Sequence, residues 1–395
     1  MASMKNKNIT LSYFIVGLNN AFFWYAPWLL FVYKFINIEQ ATILQLVGMV
    51  VRAISEVPTG VISDLIGKKK TLLAAFFLSA IGEIFMAFST SFPQFLIVYV
   101  IIALGQSFYS GTLDAFIYDS LLEKGQTDTY SKVLGKSNAW LNISTAIATI
   151  TGGFLFQIWI GLPFLITGIF KIIGFITVLF VTEPKVDSII FSFKNFIKLT
   201  GQGFSHLFSR KLITNTLLLL LLGAFSTISY EILDDVAVVD WGYNAIGISI
   251  LYTAVILISI PSGFLYEKIS KKVSQKTLII IGILFLISNY IFSLKINVAI
   301  WTILFLARVV YSPIKKAAIV TLLNQNTDST IRATTISTYE LLNRLPFVLL
   351  GIPIGALMKN FGVKYFSVRF AGALLVLLII YLIYNKVTNI KAVKG

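Results

Sequence analysis

The sequence predicts an all-α polytopic membrane protein, with twelve transmembrane helices arranged as two pseudo-symmetric six-helix bundles. Three observations carry the prediction. Hydrophobic residues make up 57% of the chain and charged residues 12%, with a mean hydropathy of +0.86, against about 25% charged in soluble domains. Apolar segments of about 20 residues or more recur twelve times. One short stretch, Glu56-Val-Pro-Thr-Gly-Val-Ile-Ser-Asp-Leu-Ile-Gly-Lys-Lys-Lys70, is echoed half a chain later.

The expected spans run over 9–34, 41–66, 71–90, 94–121, 133–159 and 161–182, then 212–239, 245–268, 276–294, 297–325, 331–358 and 362–386. The first follows Lys5 and Lys7 and imitates a signal peptide. Its apolar run reaches Phe35 without a small-x-small cleavage site, so it is expected to be retained as span one. Residues 1–182 form an N-terminal bundle, 183–211 a cytoplasmic linker and 212–395 a C-terminal bundle. Glu183-Pro184 stops a helix, and the stretch 189–208 is apolar enough to lie as an amphipathic helix on the membrane surface.

The stretch at 56–70 leaves an apolar helix through Pro58, Gly60 and Gly67 and ends in three lysines suited to anionic headgroups. Pro58-Thr-Gly60, Asp64 and Lys68-Lys69 are echoed by Pro261-Ser-Gly263, Glu267 and Lys271-Lys272, an offset of 203 residues. Such a duplication predicts two homologous halves.

With both termini inside, cytoplasmic segments and adjoining span ends hold 23 of the 32 basic residues, which sets the expected orientation in the cell (inner or plasma) membrane. The net charge of +15 belongs to this polybasic membrane face, and no nucleic-acid partner is expected. No cysteine is present, which excludes disulfides and thiolate metal sites, and the single histidine, His206, lies in a connector. No phosphate-binding G-x-x-x-x-G-K-[ST] motif occurs, which disfavours ATP-driven transport.

Gly60-x-x-x-Asp64-x-x-Gly67-Lys68-Lys69 resembles the loop signature between helices two and three of the major facilitator superfamily. The degenerate copy, with Gly263, Glu267 and Lys271, stands where that superfamily repeats it, between helices eight and nine. Ser110-Gly111-Thr-Leu-Asp114-Ala115-Phe-Ile-Tyr118-Asp119-Ser120 in span four is similar to bacterial efflux-type members, as are Arg308 and Arg332-Ala333-Thr334-Thr335-Ile-Ser337. The resemblance covers essentially the whole chain. It implies two bundles rocking about a central site, with spans one, four, seven and ten lining the pathway. It also implies that Asp119 meets Lys68 or Lys69 in a charge network holding the outward-open state.

Ionisable groups inside spans are functional candidates by default. Asp114 and Asp119 lie about 140° apart on one helix and cannot share a role. Asp114, the deeper and expected to be desolvated, is the first candidate for binding the coupling proton. A hydrogen-bonded structural aspartate is the competing reading. Glu231, Asp234 and Asp235 share a sector of roughly 100° on span seven. They are expected in a solvated external vestibule, with Glu231 and Asp234 as further proton candidates. Arg52 with Glu56, and Glu340 with Arg344, stand four apart and are read either as self-neutralising pairs or as switchable groups lining the cavity.

Span one carries Tyr13, Gly17, Asn20, Trp24 and Trp28 at helical spacing, with Asn20 expected to face the cavity. Span ten matches it with Arg308, Tyr311, Ser312 and Lys315. Arg308 is expected either to pair with Asp114 or to bind an anionic substrate. Gly152-Gly153 in span five resembles the end of a glycine-rich antiporter signature, but the expected Gly-Pro is missing and Ala148-Thr149 stands nearby. Close helix packing is the alternative.

The expectation is a secondary transporter, not an enzyme, using alternating access, no cofactor and a proton gradient. Its partners are a small-molecule substrate, protons and the bilayer, and its default state is a monomer. Proton-coupled efflux of amphipathic or cationic compounds ranks first. Proton-coupled uptake of a small, possibly anionic metabolite held by Arg308 and Arg344 ranks second. A membrane hydrolase lacking a histidine within its spans, and a non-transporting scaffold or sensor of the same fold, are the remaining readings.

Overall fold

The computed structural model describes residues 7–184, 201–209, 212–327 and 332–394, and every regular element among them is helical. Among the described residues, ten helices are long and apolar enough to cross a membrane. A shorter apolar helix, Gln275–Ile291, forms span nine, and a broken first span completes the series. The protein is an all-α multi-pass membrane protein. Of the surface helix expected over 189–208, residues 189–200 lie outside the described residues, while 201–207 are helical.

Span ends carry their own stop signals. Asn37 accepts from the Gln40 N–H at 3.0 Å while the Gln40 side chain accepts from the Asn37 N–H at 3.1 Å, a capping box that starts span two, Ile38–Ile66. Asn297 caps span ten, Val298–Gln325, by accepting from Ile300 N–H. Gly67 joins span two to span three, Lys68–Phe88, at φ +94°, a backbone conformation that side-chain-bearing residues rarely adopt. Pro58 and Pro261 sit inside the corresponding spans two and eight, the latter Ala245–Ser270, where each removes one helical hydrogen bond.

Span one departs from the expected continuous helix over 9–34. Helix Lys7–Asn19 and the short helix Trp28–Val32 flank a non-helical stretch over 20–27. The Asn20 amide turns back to donate to the Val16 carbonyl at 2.9 Å, closing the first piece. Pro27 has no N–H and disfavours helical geometry at Ala26. The freed backbone groups find side chains from spans five and six, Tyr130–Ile158 and Leu162–Leu179. Phe23 N–H donates to Thr167 Oγ1 at 3.1 Å, and Thr145 Oγ1 donates to the Asn20 carbonyl at 3.2 Å. That replacement is what non-helical backbone at membrane depth requires. Gly152 is the other half of the arrangement, because the Phe23 carbonyl occupies the place a Cβ at 152 would take.

The chain forms two compact units: 1–191 with 243–257, and 192–242 with 258–395. In the first, Ile15, Val16, Leu72, Phe76, Phe116, Ile117 and Val178 make a dry core, with spans three, four (Phe92–Leu122) and six closely packed. In the second, spans nine, ten and twelve (Val363–Lys394) pack together, with span seven against span eleven (Arg332–Phe361).

Candidate functional site

Span seven is not a uniform helix. It runs as Ile213–Ile228, a π-helical turn over Ser229–Leu233, then Asp234–Asp240. The wider turn changes the angular offset between Glu231 and Asp234 from that of the ideal helix on which the expected cluster rests. Asp234 is buried rather than in a solvated vestibule. Its Oδ2 pairs with Arg308 Nη2 at 2.7 Å, and its Oδ1 accepts from Ser229 Oγ at 2.8 Å and from the Tyr290 hydroxyl. Arg308 also donates from Nη1 to Ser229 Oγ and from Nε to Asn289 Oδ1, both at 2.9 Å. Its guanidinium carbon lies 5.2 Å from the Phe305 ring centroid. Arg308 therefore takes Asp234 as its partner, where the sequence offered Asp114 or a substrate anion.

Beside this network, the second unit holds a cavity of about 380 Å³, within the range of small-molecule sites. Ser226, Thr227 and Glu231 of span seven, Ser312, Lys315 and Lys316 of span ten, and Tyr339, Glu340, Asn343 and Arg344 of span eleven line it. Lys315 donates to Ser226 Oγ at 3.1 Å and forms no ion pair among the described residues. Glu340 and Arg344 are both exposed and do not pair with each other. Tyr311 departs from its expected place: its hydroxyl donates to the Leu278 carbonyl of span nine at 2.8 Å, and it is not among the lining residues.

In the first unit the signature loop is built around Glu183, which the sequence marked only as a helix stop. Its two carboxylate oxygens accept the Lys68 and Lys69 N–H groups, each at 2.7 Å, at the positive end of span three. Lys68 Nζ lies 2.7 Å from Asp119 Oδ2, and Lys69 Nζ donates to the Leu179 carbonyl at 2.8 Å. Asp64 is exposed, and no Cβ contact would form at Gly60. The second copy behaves differently. Glu267 and Lys271 form an exposed i,i+4 pair at 3.1 Å, with Gly263 inside the same helix.

Other candidates land elsewhere than expected. Asp114 has an exposed side chain on span four and makes no hydrogen bond or ion pair among the described residues. The Asn20 amide caps the end of the first helical piece, and Trp24, beyond the break, stacks on Phe164 at 5.8 Å and 10°. The helical stripe that joined them ends at Asn19. Arg52 donates to Gln106 Oε1 at 3.0 Å, leaving exposed Glu56 outside ion-pair reach. Sequence reasoning passed over Ser229, Asn289, Tyr290 and Glu83. Glu83 had the signal of an ionisable residue within an apolar span.

A profile described as Major Facilitator Superfamily matches residues 9–350. The chain belongs to the major facilitator superfamily. Within it, an uncharacterized MFS-type transporter, YxaM, of Bacillus subtilis (strain 168) is 23% identical over 378 residues, 92% of each chain. An uncharacterized MFS-type transporter, MJ1560, of Methanocaldococcus jannaschii is 26% identical over 165 residues, 42% of this chain and 40% of its own. Among solved structures, the nucleoside transporter NupG superposes with a TM-score of 0.76 at 14% identity, over 96% of this chain and 98% of that one. A D-xylose-proton symporter superposes at 0.66 and 14% identity, over 94% and 96%. These likenesses establish the major facilitator fold, which belongs to transporters rather than enzymes.

Proposed function

We propose that this superfamily member is a secondary active transporter for a small polar solute carrying at least one anionic group. It works by alternating access and is driven by a proton gradient. The carrying observation is Lys315. It is a cation on the wall of an intramembrane cavity, hydrogen-bonded to Ser226 and without an ion-pair partner among the described residues. A cation at such depth is costly unless hydrated or paired. Lys316 and Arg344 add positive charge to the same wall, while Asp234 is already engaged by Arg308. This reading favours the anionic metabolite over the amphipathic cation that span four had placed first.

Glu231 and Glu340 on the same wall favour a second reading, a zwitterion or an organic cation. In either case Asp114, exposed and unengaged, is the first-unit candidate for the coupling proton, and the loop Gly60–Lys70 with Asp119 is the latch between states. We place both termini in the cytoplasm, the protein in the inner or plasma membrane, and take the monomer as the working unit.

The test is counterflow in proteoliposomes with radiolabelled organic anions, zwitterions and cations, wild type beside Lys315→Met. Exchange of an anion or zwitterion that Lys315→Met abolishes supports the proposal. Exchange of cations alone, at equal rates in both proteins, overturns it.

A further inference from the structure

A second polar network lies within the first unit, in the packing behind span one. Glu83 of span three is 0% exposed and Lys171 of span six is 1% exposed. Neither carboxylate oxygen of Glu83 closes a short hydrogen bond among the described residues. The Trp24 indole is a weak donor to it, and Lys171 attracts it from beyond ion-pair distance. Lys171 turns instead to the broken first span. Its ammonium donates to the Asn19 carbonyl and, at 2.9 Å, to Asn19 Oδ1, and it lies 4.4 Å from the Phe22 ring centroid. From span four, the buried Tyr109 hydroxyl reaches the Asn19 side of this network.

The surroundings keep the site dry. Gly168 brings span six against the Ala80 carbonyl and Ile84, one residue beyond Glu83. Phe164, Phe170 and Phe23 close the neighbourhood of the break. A carboxylate whose donor is a single indole N–H in such packing is disfavoured, and a carboxylic acid much less so. Were Glu83 an anion, the adjacent cation would be drawn to it. Lys171 is bound to Asn19 instead, as expected when Glu83 carries a proton.

We propose that Glu83 is a proton-binding site outside the solute cavity, and that its protonation controls whether Lys171 holds the break in span one. With the acid protonated, the Lys171 ammonium stays on Asn19 and the break keeps the geometry described here. When the acid releases its proton to water, the carboxylate takes Lys171, the Asn19 carbonyl loses its donor and the break rearranges. The net change is one proton released from the Glu83–Lys171 pair. A break in a membrane helix is a suitable element for such control, because its backbone groups depend on side chains for partners. The coupling of this switch to solute movement rests on the transport reading above; the proton site itself does not.

The experiment separates the two. Infrared difference spectra of the purified protein, titrated from acid to alkaline pH, follow the carboxylic-acid carbonyl band in wild type and Glu83→Gln. In parallel, a single cysteine is introduced as Tyr25→Cys, a clean label site because the chain has no native cysteine, and its reactivity is measured over the same pH range. The expected result is a titrating band absent from Glu83→Gln, and a pH-dependent label reactivity lost in Glu83→Gln and in Lys171→Met. A band unchanged by Glu83→Gln, or reactivity that follows pH equally in all three backgrounds, overturns the site. In proteoliposomes, Glu83→Gln is expected to keep solute counterflow and lose proton-driven accumulation. Uphill accumulation at the wild-type level in that variant overturns the coupling while leaving the infrared result to stand or fall by itself.

Discussion

Arg308 and Asp234 meet at 2.7 Å in the interior of the second unit, each side chain 13% exposed, with Ser229, Tyr290 and Asn289 hydrogen-bonded to the pair. The pair links span ten to the segment that follows the π turn of span seven. Removing one member leaves a buried, uncompensated charge, the costly way to break such a pair. Arg308→Met is expected to destabilise the protein by about 3–5 kcal/mol. The double variant Arg308→Met with Asp234→Asn should recover a large part of that loss. Thermal unfolding in detergent measures both, and additive losses would show that the pair is not a unit.

Glu183 receives two backbone N–H groups at the start of span three. Glu183→Ala removes two charge-assisted hydrogen bonds and exposes the positive helix end, a loss of about 1.5–3 kcal/mol for each such bond at most. A clear fall in melting temperature is expected, together with slower solute exchange at unchanged solute affinity. Equal melting temperatures would place the loop's stability elsewhere.

Two glycines separate packing from mere composition. At Gly152 a side chain would collide with the Phe23 carbonyl, so Gly152→Ala forces the break in span one to move, an overpacking cost of about 1–3 kcal/mol. At Gly111, in span four, nothing lies within 4 Å of an added Cβ. Gly111→Ala should be neutral or stabilise the helix by about 0.5–1 kcal/mol. Melting curves of the two variants side by side check the contrast.

Asp114 is exposed and unengaged, so Asp114→Asn is expected to change stability by less than about 0.5 kcal/mol. If it carries the coupling proton, proton-driven accumulation is lost while counterflow persists. Accumulation unchanged in this variant, and lost in Glu83→Gln, would assign coupling to span three.

The membrane class, the number of apolar segments and the duplicated signature were all legible in the sequence, because each is a matter of composition and local order. A span of about 20 apolar residues reads the same in any context, and Lys68 with Asp119 could be anticipated from a motif of known loop geometry. The break in span one was less legible. Asn19, Asn20 and Pro27 are weak signals singly, and they interrupt a helix here because Thr167, Thr145 and Lys171 arrive from other spans to receive the freed backbone.

Charge partners were the least legible. Four-residue spacing favoured Arg52 with Glu56 and Glu340 with Arg344, but helical spacing places residues on one face without fixing where long side chains reach. Gln106 supplies the contact for Arg52, and Glu340 and Arg344 both line the cavity without pairing with each other. Glu231 and Asp234 were expected on one face because ideal 3.6-residue geometry was assumed. The π turn at Ser229–Leu233 removed that assumption.

By itself, then, the sequence determined the solvent of this protein, the helical form of its spans and the position of its loop signature in each half. Those follow from hydropathy and local chemistry along the chain. Only the tertiary structure decided that Arg308 belongs to Asp234, that Lys171 belongs to Asn19 and that Glu83 is buried outside ion-pair distance of Lys171. Ion pairs and buried acids act over a few ångströms in space, across residues separated by scores of positions in sequence.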